Sequence, residues 1–210
     1  MTRLLIALLA GFFFALPEPD AASITDVYAS IKTLSNGCTT FSINRREGFW
    51  MTAAHCWGTA AGDEEGPPPP LRLEDHPTHF VAGSPFGEWD LVVYRTGVYA
   101  KSLRLNPIPP QVGDQLIVVG YPYHEGVLLP FWHRVAARNM VWWDEAWLGN
   151  LVTDGHTAPG MSGSPVFSAA TLRVVSLHQG ARRIPPFESV HAPYDEFVRL
   201  ARPFWDPDAR

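Results

Sequence analysis

Met51-Thr52-Ala53-Ala54-His55-Cys56 and, far downstream, Thr157-Ala158-Pro159-Gly160-Met161-Ser162-Gly163-Ser164-Pro165-Val166 are the two stretches on which the reading of this chain turns. The first closes an apolar, β-branched run and sets a histidine against a cysteine at the strand's end. In the second, glycines on both sides of Met161-Ser162 allow a tight turn that presents the Ser162 hydroxyl. Such a turn also points successive backbone N–H groups, those of Gly160 and Ser162, into one space. Between the two stretches, Trp89-Asp90-Leu91-Val92-Val93-Tyr94 begins another apolar run with a carboxylate at its start.

Around these strings the chain reads as many short strands separated by turn residues. Runs rich in β-branched and aromatic residues fall at 26–34, 39–43, 48–52, 71–73, 78–82, 90–94, 115–120, 134–141, 149–153, 164–167 and 172–177. Short strands at this spacing predict an all-β sandwich or barrel. Residues 58–70 end in four consecutive prolines, which cannot pair inside a sheet and predict an exposed loop. Residues 97–112, with Pro107, Pro109 and Pro110, read as the linker between two halves. Only the C-terminus reads as helix, with Tyr194, Phe197, Val198 and Ala201 on one face before Pro203.

The 210-residue chain carries 16 basic and 21 acidic residues, a formal net charge of −5, so nothing in its charge favours nucleic acid or an anionic membrane as partner. Arg3, the apolar run 4–16 and the small residues Ala21-Ala22-Ser23 match a secretory signal cut after Ser23. That run of about 13 residues is short for a membrane span of roughly 20, which disfavours a retained anchor. The expectation is therefore a secreted or periplasmic protein, tethered to a membrane only if the segment is kept. Cys38 and Cys56 are the only cysteines, and in an exported chain a single disulfide is the economical pairing, with two separate buried thiols as the alternative. A loop of about 17 residues closed this way is worth about 3 kcal/mol.

The string Thr52-Ala53-Ala54-His55-Cys56 resembles the histidine signature of the chymotrypsin-like (trypsin-like) serine protease clan. Gly160-Met161-Ser162-Gly163-Ser164-Pro165 resembles that clan's nucleophile loop, and Asp90-Leu91-Val92-Val93 its acidic strand start. The resemblance implies two antiparallel six-stranded β-barrels and a short C-terminal helix, with a cleft between the barrels. It implies a triad of His55, Asp90 and Ser162, an oxyanion hole from Gly160 and Ser162, and a Cys38–Cys56 disulfide. Peptide-bond hydrolysis would run through an acyl-enzyme, without cofactor or metal. Residues 1–23 would be the signal, 24–100 the barrel with His55 and Asp90, and 101–210 the barrel with Ser162. Asp63 and Asp75 are the competing acids, but both lie in polar sequence that reads as solvated loop. The order His, Asp, Ser and Ser164 in place of a glycine exclude an α/β-hydrolase. Clan members activated by a new N-terminal amine place an aspartate where this chain has Met161, so that ion pair is not open to it.

Val174-Val175-Ser176-Leu177-His178-Gln179-Gly180 is similar to the pocket strand of compact bacterial glutamyl endopeptidases and RNA-virus relatives. There a histidine, with a threonine five residues before the nucleophile, binds Glu or Gln, and His178 and Thr157 match both positions. Against this stands the plain reading of His178 as a packed strand residue and Thr157 as part of an ordinary loop. His76 and His79 beside Asp75 lack the ligand set of a catalytic metal and read as loop residues. Trp142, Trp143 and Trp147 either rim the cleft or pack in the second barrel, and Asp154 and His156 carry no assigned role. The expected partners are protein or peptide substrates, met by a monomer. The rival readings are a catalytically silent homologue that binds peptides in the same cleft, and a secreted β-sandwich binding module.

Overall fold

The computed structural model describes residues 24–57, 71–84, 89–123, 126–140, 150–181 and 188–209. The expected signal, the 58–70 loop, Asp63 and the three tryptophans at 142, 143 and 147 lie outside them. β1 (Ile31–Thr33), β2 (Thr39–Asn44), β3 (Phe49–Ala53), β4 (Arg72–Leu73), β5 (His76–Ser84) and β6 (Leu91–Thr96) form one antiparallel sheet. Its order is β1-β2-β3-β6-β5-β4. The two edges meet through a Leu34–Leu73 bridge, a Ser35 N–H to Arg72 carbonyl bond of 2.9 Å and the Lys32–Glu74 ion pair, so the sheet curls into a nearly closed barrel.

β7 (Gln115–Gly120), β8 (Leu129–Met140), β9 (Asn150–Asp154), β10 (Pro165–Ser168), β11 (Val174–Ala181) and β12 (Glu188–His191) form a second barrel, closed by β7 against β10. The expected all-β double barrel of six antiparallel strands each is what the chain adopts. Near its start the chain also forms the short helix α1 (Ile24–Ala29), and the expected C-terminal helix is α2 (Tyr194–Ala201), with Phe197, Val198 and Ala201 buried. Among the described residues no helix is long and apolar enough to cross a membrane.

Near-continuous apolar runs arise because the central strands are buried on both faces. Alternate residues of β3 and β6 separate accordingly: Trp50, Val92 and Tyr94 pack with Leu34, Leu71 and Leu73 inside the first barrel. Met51, Ala53, Leu91 and Val93 instead share a cluster with Ile117, Val119, Leu177 and α2, which is the seam between the barrels. The second barrel has its own core of Leu116, Val118, Val135, Leu151, Val166 and Val175, and the fully buried Met161 belongs to it. Residues 97–112 carry no strand and bind both halves, through Leu103 N–H to Ser42 O (3.1 Å) and Asn106 N–H to Val174 O (2.8 Å).

Three expectations are corrected. The first predicted strand, 26–34, divides into the helical turn α1 and the short β1. Val27 and Ser30 are the buried positions, three apart, and the Ser30 hydroxyl bonds back to Asp26 O at 2.7 Å, both helical spacings. His76 and His79 lie on β5, not in a loop, because β4 pairs with His76 and Pro77 and β6 pairs with the strand from Thr78 on, while the outer face tolerates polar side chains. β12 has no counterpart among the predicted strands, since its buried residues include Ser189 and His191 and show no apolar alternation.

Cys38 and Cys56, 18 positions apart, form the expected disulfide. Reducing it should lower the unfolding free energy by about 3 kcal/mol, measured as the difference between urea titrations with and without dithiothreitol.

Candidate active site

β3 and β6 run antiparallel with Ala53 opposite Leu91, so the residues just after β3 and just before β6 emerge at the same end of the sheet. The chain uses that end for His55, in the single 3-10 turn Ala54–Trp57, and for Asp90. Asp90 has no exposed surface, and its Oδ2 lies 2.7 Å from His55 Nδ1. Its Oδ1 accepts the His55 backbone N–H at 2.7 Å, and its carbonyl accepts Ala54 N–H at 3.1 Å. Asp90 holds a left-handed φ of 47°, unusual outside glycine, and these bonds hold it there. Asp75, the competing acid, is exposed in the β4–β5 turn.

The loop between β9 and β10 carries Ser162. Gly160 and Gly163 take φ of 93° and 86°, and a Cβ on Gly163 would collide with Thr39 O and the Thr52 hydroxyl. The loop is bound to the first barrel by Thr39, whose N–H donates to Ser162 O (2.9 Å) and whose hydroxyl donates to Gly160 O (2.9 Å). From the second barrel, Gly163 N–H reaches His178 O at 2.8 Å. The Ser162 hydroxyl donates to the Gln179 carbonyl at 3.3 Å. Among the described residues the Gly160 and Ser162 N–H groups have no acceptor.

Next to Ser162 opens a cleft of about 540 Å³ whose walls include His156, Thr157, Pro159, His178 and Gly180. Thr157 and His178, paired on sequence grounds, touch: Thr157 Oγ1 lies 3.0 Å from His178 Nε2. His156 is exposed on the wall, and Asp154 accepts Arg134 N–H at 2.6 Å, joining β8 to β9.

Behind His178 lies a polar chain that the sequence did not disclose. His178 Nδ1 is 3.3 Å from His191 Nδ1, His191 Nε2 is 2.9 Å from Thr153 Oγ1, and Thr153 Oγ1 is 3.0 Å from His133 Nδ1. Burial pushes His178 down to about 3 and His133 down to about 4, and it holds His191 well below 6.5. Neighbouring imidazoles add to each shift, while Asp154 opposes it at His133. All three are therefore neutral at pH 7, each with one donor and one acceptor nitrogen.

The chain thus has two possible senses. Donation from His133 Nδ1–H toward His178 leaves His178 Nε2–H pointing at Thr157, whose hydroxyl can donate to Ser189 Oγ (3.3 Å). Ser189 in turn donates to Gly155 O (3.0 Å), so every donor is satisfied. The reverse sense puts a proton on His133 Nε2, a buried atom with no acceptor among the described residues. A buried orphan donor is the costlier defect, so the first sense prevails.

Gln179 is a second residue that the sequence left without a role. Its side-chain amide donates to Trp89 O at 2.5 Å, bridging the second barrel to the residue before Asp90. The polar chain depends on the pairing of β11 with β12, β12 with β9 and β9 with β8, and the Gln179 bond on the approach of β11 to the start of β6, all of which join residues far apart in sequence.

The comparisons with known proteins bear on the fold and the family. The trypsin-like peptidase domain family matches residues 38–177, a span that includes His55, Asp90 and Ser162. No curated protein matches the sequence. Among solved structures, the Rv3671c protease of M. tuberculosis in its inactive form is similar with a TM-score of 0.62 at 17% identity, over 89% of this chain and 97% of that one. The HtrA-type protease AlgW with a tripeptide gives 0.66 at 16%, covering 85% of this chain and 61% of its own. The serine endoprotease from Yersinia pestis gives 0.63 at 15%, covering 86% and 64%. At these identities the likeness speaks for the fold. The match over residues 38–177 carries more, and by it the chain belongs to the trypsin-like peptidase domain family of serine peptidases.

Proposed function

We propose that the protein is an exported serine endopeptidase with Ser162 as nucleophile, His55 as general base and acid, and Asp90 as the orienting carboxylate. The observation that carries this reading is the 2.7 Å contact between His55 Nδ1 and the fully buried Asp90 Oδ2. It fixes the Nδ1–H tautomer, which leaves Nε2 as the base and stabilises the imidazolium once a proton arrives. Ser162 Oγ then attacks the scissile carbonyl, giving its proton to His55. The Gly160 and Ser162 N–H groups face the oxyanion, where one such donor is typically worth about 10²–10³ in turnover. His55 passes the proton to the leaving amine, and water releases the acyl group by the same steps in reverse order.

Export is supported by the Cys38–Cys56 disulfide, since such bonds persist in oxidising compartments. In this reading residues 1–23 are a signal, and 24–100 and 101–210 are the two barrels.

The cleft beside Ser162 takes Glu or Gln before the scissile bond. A side-chain oxygen there would accept from His178 Nε2–H, which the chain behind it presets as a donor, taking the place of Thr157 Oγ1 as its acceptor. A bound carboxylate favours protonated His178 and raises its pKa from about 3 in the empty pocket, the second proton entering at Nδ1 as the chain through His191 and Thr153 to His133 reverses its sense at a cost the new ion pair must exceed. The complex with Glu then binds more protons than its parts, so Glu binding strengthens as pH falls, down to the carboxylate's own titration. The amide of Gln lacks this linkage.

Ser162→Ala is expected to abolish cleavage of a positional peptide library and labelling by a fluorophosphonate. Intact labelling in that variant would remove Ser162 from the mechanism, and absence of both activities in the wild type would favour a silent homologue. Asp90→Asn should lower kcat by about 10⁴ with its fold intact, as read by stopped assays against circular dichroism. The ratio of kcat/KM for Glu over Gln substrates should rise from pH 8 to pH 5, and lose that slope in His178→Gln. A flat ratio in the wild type would discard the pocket and keep the peptidase. Gln179→Leu frees the Trp89–Asp90 peptide, and misplacement on that scale predicts a loss of kcat of about 10-fold or more with little change in KM. Fluorophosphonate titration of active sites separates that loss from unfolding.

A further inference from the structure

At the far end of the β10–β11 hairpin from Ser162 lies a second cavity, of about 480 Å³, that the peptidase reading does not use. Three separate segments each send an arginine to it. Arg104 comes from the stretch between the barrels, Arg173 from the start of β11, and Arg202 from the end of α2. Arg104 is only 9% exposed, and the Trp205 ring, 8% exposed, lines the same cavity.

Charge is distributed unevenly around it. Lys32 pairs with Glu74, Arg46 with Asp208, Lys101 with Asp26 and Arg199 with Glu196, while Arg72 and Arg95 donate to backbone carbonyls. Among the described residues no carboxylate lies within ion-pair distance of Arg173 or Arg202, although acids outnumber bases in the chain. Among the described residues the one carboxylate on the wall is that of Asp206, whose two oxygens accept the Ser102 hydroxyl (3.0 Å) and Asp208 N–H (2.9 Å). Three arginines lining one cavity concentrate positive charge there, and a bound anion is attracted to all of them. Guanidinium forks match the paired oxygens of phosphate and carboxylate groups.

We propose that this cavity binds a compact oxyanion of two or more charges, of phosphate or polycarboxylate type, held by Arg104, Arg173 and Arg202. Such a ligand ties the inter-barrel stretch, the β10–β11 turn and the C-terminal segment together, and so stabilises the fold without touching the cleft at Ser162.

The test is thermal unfolding of the full disulfide-bonded protein in inorganic pyrophosphate, in citrate, and in sodium chloride of matched ionic strength. Binding to the native state alone predicts a Tm that climbs by about 3–5 °C for each tenfold increase of the anion above Kd. The rise should vanish in the double variant Arg173→Gln, Arg202→Gln, whose Tm in sodium chloride shows that it folds. A rise with pyrophosphate only assigns a phosphate ligand, and a rise with citrate only a carboxylate one. No rise above the chloride control with either anion, or an equal rise in the double variant, would overturn the proposal. Calorimetric titration of the wild type at 25 °C measures the same binding without unfolding, and each single variant is expected to weaken it at least fivefold.

Discussion

A carboxylate with no exposed surface sits at the centre of this molecule, and both of its oxygens are bonded to the same residue. Asp90 grips His55 by its ring nitrogen and by its backbone N–H, so ring position and backbone position are fixed together. Removing a carboxylate from water is costly unless its oxygens are bonded, and here the compensation comes entirely from neighbouring strand ends. β3 and β6 must therefore pair in the observed register, because a one-residue slip would turn the histidine's neighbours to the other face. The left-handed φ at Asp90 is the local cost of that arrangement, offset by the same bonds.

The serine depends on this frame as much as the histidine does. Its loop leaves the second barrel but is bonded to the first, through the backbone and hydroxyl of Thr39. Thr39 follows Cys38, and Cys38 is linked to Cys56 beside His55, so the covalent bond ties the loop's anchor to the histidine's turn. Gln179 adds a bond in the opposite direction, from the second barrel to the strand start of Asp90. The shared apolar seam holds the barrels together, while these few polar bonds set their register to each other.

The second barrel carries an unusual interior. Three neutral imidazoles and hydroxyl groups replace apolar packing behind the cleft, linked in a sequence that ends on a backbone carbonyl. Such a network is tolerable only when its donors are all satisfied, and that requirement selects one proton sense. The consequence at the cleft wall is that His178 Nε2 carries the proton and is preset as a donor.

The sequence by itself determined the strand-rich class and the strings bearing His55, Asp90 and Ser162, and the resemblance those strings carry implied the two barrels and the Cys38–Cys56 disulfide. These are local patterns: an apolar run ending in His-Cys, a carboxylate opening a strand, a glycine-flanked serine. Pattern alone also renders α1 as strand and passes over β12, because helical spacing over six residues and a polar strand interior leave no clear periodicity. Only the tertiary structure decided which acid meets His55, how Thr157 meets His178, and that His191, Thr153 and His133 continue the line. The same holds for Gln179 at Trp89 and for three arginines converging from three segments. Each of these depends on strand register and on the docking of one barrel against the other, which are long-range contacts, whereas a sequence pattern reports only on neighbours along the chain.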